Sequence, residues 1–344
     1  VNTDANVIEM NNGDWSALKQ RFASRLAGDT AVIRVLHIGD SHIQAEFVTN
    51  RLRELLQHRY GNAGRGLISP LRLAGTNQPN DYDVTSPSTA WEQTRLLKYP
   101  WPNYPGVTGI AAHATQPTTV TWRARGEGHK IKNARFITSN GVSSIRLNSL
   151  ADSVVTTVSA GESIFGAILD NGQPGVLYSA IGNNGACFTD YLLLRDFARD
   201  TRLFAPDLII LSMGTNEGFS TMTDEEITRS VHDLVNLLRT NNPSSAMLIL
   251  LPMECQKNRR HGQKPLSPYY DINVRVRQAK DLINNAAREL NVPVWNFYDV
   301  AGGDGASDRW LEDKLMNKDH IHLLSAGYRL EAQLLYDALI KSLD

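Results

Sequence analysis

The chain has 344 residues, 42% of them hydrophobic and 21% charged, a balance that excludes collagen-like, disordered and coiled-coil classes. Thirty-five Lys and Arg stand against 36 Asp and Glu, a net charge of −1, so there is no global basic field to hold nucleic acid or an anionic membrane. Two cysteines, Cys187 and Cys255, form at most one bridge and lack the paired spacing of a zinc site. The longest apolar runs, at 208–213 and 247–253, fall far short of the roughly 20 residues of a spanning helix. The first residue is Val and no basic stretch followed by an apolar core precedes the fold. That pattern leads us to expect a removed signal peptide and a periplasmic or secreted location.

Taken in chain order, residues 31–39 (AVIRVLHIG) read as a buried strand, and 47–58 (FVTNRLRELLQH) carry apolar residues at helical spacing. From about 85 to 178 the helical pattern gives way to Thr, Val, Ser, Gly and Pro. Alternating stretches occur at 118–123, 135–138, 144–147 and 154–158, punctuated by Asn140-Gly141 and Asn171-Gly172. A structureless loop of that length is improbable, so these residues are expected to form an inserted β-sandwich domain. The alternation of strand and helix then resumes. Strands are expected at 207–213, 246–252 and 292–297, and helices at 224–240, 272–290 and 325–342. Such alternation argues for a mostly parallel sheet covered on both faces, an α/β fold. The expected division is 1–84 and 179–344 for the α/β domain and 85–178 for the insert.

Ligands of open α/β sheets collect beyond the carboxyl ends of the strands. Four polar segments stand at such places: Gly39-Asp40-Ser41-His42, Gly182-Asn183-Asn184-Gly185, Gly214-Thr215-Asn216-Glu217 and Asp319-His320-Ile321-His322. Taken singly, each has a plain structural reading. Ser41 and Asn216 would be helix caps, Gly185 a turn residue, Asp319 a turn cap, and the histidines solvated. Taken together they supply a chemistry. A carboxylate three positions before an imidazole can hold its Nδ1–H and leave Nε2 free to take a serine proton. The Ser41 N–H, the Gly185 N–H and the Asn216 amide can receive an oxyanion, where the loss of one donor typically costs about 3 kcal/mol of barrier. His320 is a competing base whose adjacency to Asp319 points it elsewhere.

The ordered set Gly39-Asp40-Ser41, Gly185, Gly214-x-Asn216 and Asp319-x-x-His322 resembles the four signature blocks of the SGNH (GDSL-like) hydrolase superfamily. The resemblance covers the α/β portion and implies a three-layer flavodoxin-like fold with serine-based ester hydrolysis and no cofactor or metal. It implies Ser41 as nucleophile and first oxyanion donor, Gly185 and Asn216 as the other donors, His322 as base and Asp319 as its orienter. One departure is that His42 replaces the usual Leu after the serine. The strings GDSHIQAEF (39–47), GNAGRG (61–66) and GNNGA (182–186), with the β-rich insert, are similar to those of Gram-negative peptidoglycan O-acetylesterases. That likeness implies a 6-O-acetyl group on muramic acid as substrate and a carbohydrate-binding-module-like insert. Trp91, Tyr99, Trp101, Tyr104 and Trp122 are then candidates for stacking on sugar, set against the ordinary role of aromatics as core. The basic run 257–264 (KNRRHGQK) reads as a solvated loop or an attractor of anionic glycan. Cys187 reads as a small buried residue.

The expected activity is therefore removal of O-acetyl groups from a cell-wall glycan through an acyl-enzyme. Its alternatives are an O-acetyltransferase, an acetylesterase of another polysaccharide, and a non-catalytic glycan-binding protein. A lipase is disfavoured because no long apolar lid segment is evident.

Overall fold

The computed structural model describes residues 1–258 and 270–344. Its central sheet has six strands in the order Ile8–Glu9, Val294–Asn296, Ala246–Leu251, Leu208–Ser212, Val32–Gly39 and Gly175–Gly182. All neighbours are parallel except the short first strand, which is antiparallel to Val294–Asn296. Numbered by their sequence, the five parallel strands run 2-1-3-4-5, the flavodoxin-like order, whose switch point lies between strands 1 and 3. Continuous apolar runs form these strands because both sheet faces are covered. Ile33, Val35, Leu208, Ile210, Leu248 and Leu250 face one core, which the helices Ser16–Leu26, Phe47–Tyr60 and Ser325–Leu343 complete. Leu36, Ile38, Ile209, Leu211, Ile249 and Leu251 face the other, under Asp224–Asn241 and Val274–Glu289. Among the described residues no helix is long and apolar enough to cross a membrane.

The insert is a pair of antiparallel sheets. One is ordered Ser153–Val158, Thr118–Ala124, Tyr82–Thr85. The other is ordered Trp91–Arg95, Ile110–Ala114, Ser163–Asp170, Ile131–Thr138, Gly141–Ala151, and Gly66–Ile68 also pairs with Ser163–Asp170. Val84, Val120, Trp122, Val154, Phe136 and Ile164 are among the side chains that fill the space between the sheets. Trp122, a candidate for sugar contact by sequence, is instead a core residue. It is fully buried, its ring lies 6.0 Å from that of Phe136, and its indole donates to Thr156 Oγ1 at 3.0 Å. The opposite face of the larger sheet joins the hydrolase core, where Leu96, Val107, Ile137, Phe165 and Ile168 share a cluster with Phe188, Tyr191 and Phe204. The expected edges at 85 and 178 fall within strands. Residues 82–85 pair inside the insert, and 175–182 belong to the central sheet.

Candidate active site

The register of the central sheet brings three loops to one level. Gly39 is paired with Gly182 on one side and Ser212 on the other, so the chain leaves all three strands side by side at the switch point. After Gly39, Asp40 caps a short helix, Ser41–Gln44, by accepting from the His42 amide at 3.0 Å. Ser41 is thus the first helical residue and not the cap. Close packing of this turn against the neighbouring loop requires Gly182, because a Cβ there would lie 2.1 Å from the Gln44 nitrogen. Gly185 has φ +86°, a conformation that side-chain-bearing residues rarely adopt.

Ser41 Oγ lies 2.9 Å from His322 Nε2, and His322 Nδ1 lies 2.8 Å from Asp319 Oδ2. The other Asp319 oxygen accepts from the amides of Ile321 and His322, both at 2.9 Å, which folds the loop into a bracket around the carboxylate. Burial alone would raise the Asp319 carboxyl, but the hydrogen bonds from His322 and the two amides outweigh it and hold it below its ordinary value. His322 is displaced upward, chiefly by its hydrogen bond to Asp319. Ser41 N–H and Gly185 N–H make no hydrogen bond to another described residue. The Asn216 amide is held, donating to Ala186 O at 3.0 Å and to Asp40 Oδ2 at 3.2 Å. It would exchange the longer of these bonds to meet an oxyanion.

His320, the competing base, is buried with positive φ and lies 3.7 Å from Asp308. Cys187 and Cys255 are free and buried, and burial pushes both thiols well above their ordinary range. Of the basic run 257–264, everything beyond 258 lies outside the described residues. Among the described residues no cluster of His, Cys, Asp or Glu is arranged to hold a metal ion.

Several positioning contacts were not apparent from local sequence. The Asn183 amide donates to Thr108 O of the insert at 3.0 Å and to the Tyr191 hydroxyl at 3.1 Å, while that hydroxyl donates to Gly39 O at 2.5 Å. Glu217 accepts from the Phe188 amide at 2.8 Å. His42 stacks on His322 with ring centres 5.2 Å apart and meets the Tyr328 hydroxyl at 3.0 Å, so the residue that departs from Leu sets a flat ring against the His322 imidazole. Burial drives His42 down to about 3, which keeps it neutral beside His322. Tyr328 opens the helix that follows the His322 loop, the one local signal that it would reach the site. Behind these residues a cavity of about 30 Å³ is lined by Asp40, His42, Cys255 and Glu331. Burial raises Asp40 to about 7 and Glu331 to about 8.

In front of Ser41 an open cleft of about 550 Å³ is bounded by Phe47, Asn184, Gly185, Asn216, Phe219, His322 and Tyr328. A hydroxyl hydrogen-bonded to an oriented imidazole, beside two uncommitted amides, is an arrangement suited to acyl transfer.

Residues 148–330, just over half the chain, match the model of the GDSL-like lipase/acylhydrolase family. The chain therefore belongs to that family, a class of SGNH hydrolases, with Ser41 lying before the matched stretch. Within it, the chain is similar over 98% of its length to a solved structure of a peptidoglycan O-acetylesterase, covering 99% of that chain at 23% identity with a TM-score of 0.84. That likeness includes the insert. A lipase/acylhydrolase from Enterococcus faecalis matches 49% of this chain and 77% of its own (16% identity, TM-score 0.38). An acetyl xylan esterase matches 48% and 81% (16% identity, TM-score 0.36). No curated protein matches the chain by sequence.

Proposed function

We propose that the chain is a serine esterase that removes O-acetyl groups from a bacterial cell-wall glycan outside the cytoplasm. The observation that carries the chemistry is the relay Ser41–His322–Asp319, at 2.9 and 2.8 Å, facing an open cleft. Ser41 Oγ attacks the acetyl carbonyl as His322 Nε2 takes its proton, and Asp319 holds the Nδ1–H and steadies the imidazolium. The oxyanion is received by Ser41 N–H and Gly185 N–H, with Asn216 joining them. His322 then protonates the departing sugar hydroxyl. Water, activated by the same imidazole, releases acetate and restores Ser41.

The substrate class is supported by the end-to-end likeness, insert included, to a peptidoglycan O-acetylesterase. Acetate release from O-acetylated peptidoglycan, acetylated xylan and a phospholipid tests it, with preference for the first expected. Ser41→Ala is expected to reduce release by at least about 10³-fold. Preference for xylan would overturn the cell-wall assignment, and full activity of the alanine variant would overturn the serine mechanism. Labelled acetyl passing to glycan instead of water would make the protein a transferase. Glycan affinity without turnover of any ester would make it a binding protein.

A further inference from the structure

The turn that carries Ser41 and the turn that carries Gly185 meet at one buried residue, Asn183, which is 2% exposed. Its backbone ties them together. The Asn183 amide donates to Gly39 O at 3.1 Å, and its carbonyl accepts from the Ala186 amide at 3.0 Å. The second bond closes a four-residue turn in which Gly185, third in line, supplies the positive φ. The first holds a carbonyl whose peptide plane leads into Asp40 and Ser41. Parallel pairing ends at Gly39 and Gly182, so these bonds carry the alignment of the two chains past the last ladder pair.

The Asn183 side chain reaches the other way, into the insert. It donates to Thr108 O at 3.0 Å and to the Tyr191 hydroxyl at 3.1 Å, and that hydroxyl donates in turn to Gly39 O at 2.5 Å. Thr108 O can only accept, which fixes the end of the amide that is nitrogen. Thr108 is itself held, since its hydroxyl lies 2.8 Å from both Ile110 O and Phe165 O of the larger insert sheet. At Gly109 a Cβ would lie 2.7 Å from Asn183 Nδ2, so the two parts of the molecule touch here without slack. Asn183 Oδ1 is buried with no hydrogen-bond partner among the described residues, a cost that an apolar residue would avoid. What Asn183 contributes therefore lies in its two side-chain N–H groups.

Resting on the esterase reading, we propose that Asn183 and Tyr191 are positioning residues through which the Thr108–Gly109 turn of the insert sets the Ser41 and Gly185 turns in register, so that their two N–H groups converge on one oxyanion. The insert is thereby part of the frame of the reaction centre.

Two variants probe the chain of bonds from opposite ends. Tyr191→Phe removes the hydroxyl, and Gly109→Ala presses on Asn183 from the insert alone. A fluorophosphonate reaction taken to completion counts competent sites, so a variant that folds poorly shows fewer sites and not slower ones. Each variant is expected to be labelled at Ser41 about tenfold more slowly per site, and to lose about tenfold in kcat on a chromogenic acetate ester with KM within about twofold. Because the residues act as one chain, the two changes together are expected to cost no more than the larger alone. Unchanged rates per site, a loss confined to KM, or losses that multiply overturn the proposal. Amide hydrogen exchange at Asn183 and Ala186 reads the same coupling without any chemistry and is expected to quicken in both variants. Quickened exchange in a chain whose Ser41 takes no label overturns the esterase reading and supports the coupling. Labelling of the unmodified chain, with exchange unmoved in the variants, overturns the coupling and leaves the esterase reading in place.

Discussion

His322 is the residue on which pH dependence turns. As the proposed base it must be neutral, and its affinity for protons is raised by Asp319. Ester hydrolysis is therefore expected to fall as pH drops through a value above the ordinary imidazole range of about 6.5. Asp319→Asn removes the acceptor that raises it. We expect the acid limb of kcat/KM to move to lower pH while kcat falls by on the order of 10³–10⁴. A profile with an unmoved limb would mean that another group governs it. The five residues of this site were legible because each follows a strand end or sits in a short Asp-x-x-His turn, where local order reports position. Tyr328 and Tyr191 were not. Their contacts join residues far apart in the chain, such as Tyr328 with His42, and no local periodicity encodes a pairing at that range.

At the scale of elements, four of the five parallel strands and the helices Phe47–Tyr60, Asp224–Asn241, Val274–Glu289 and Ser325–Leu343 lie where the apolar pattern placed them, whereas the helix Ser16–Leu26 and the strand Ile8–Glu9 were not read from the sequence. In the structure the Asp224–Asn241 helix opens on a Thr223–Glu226 capping box. The edges of the insert did not follow. Gly66–Ile68 is too short to show alternation, and the apolar run at 175–182 reads alike in a sandwich and in a parallel sheet. What holds the passage between the two parts is a buried charge cluster. Arg65 reaches Glu46 at 2.7 Å and Asp81 at 2.6 Å, and Arg53 reaches Asp81 at 2.9 Å, with both arginines almost wholly enclosed. Arg65 also lies 4.9 Å over the Tyr82 ring. Removing one member leaves its partners charged and dry. Arg65→Met is therefore expected to cost about 3–5 kcal/mol in urea unfolding, and a cost under about 1 kcal/mol would mean the cluster is better solvated than its burial implies.

At the scale of the molecule, the insert and the hydrolase share one core through Phe165, Ile168, Phe188 and Tyr191. Their unfolding is expected to be a single cooperative transition, with ring signals from the buried Trp122 in the insert and Trp295 in the hydrolase changing together. Two separated midpoints would show that the shared face is weak. The strand order carries a consequence for how the chain must be made. Val32–Gly39 is the first parallel strand to emerge, yet both of its partners, Gly175–Gly182 and Leu208–Ser212, come after the whole insert. During vectorial synthesis it waits with two open edges, the kind of surface on which nascent chains associate wrongly. Its seat closes only once the sandwich is in place, and the imidazole that faces Ser41 arrives later still. On the proposed mechanism, hydrolytic competence is thereby a certificate of completed assembly: a chain stalled at any earlier stage carries a serine but not the imidazole that would serve as its base.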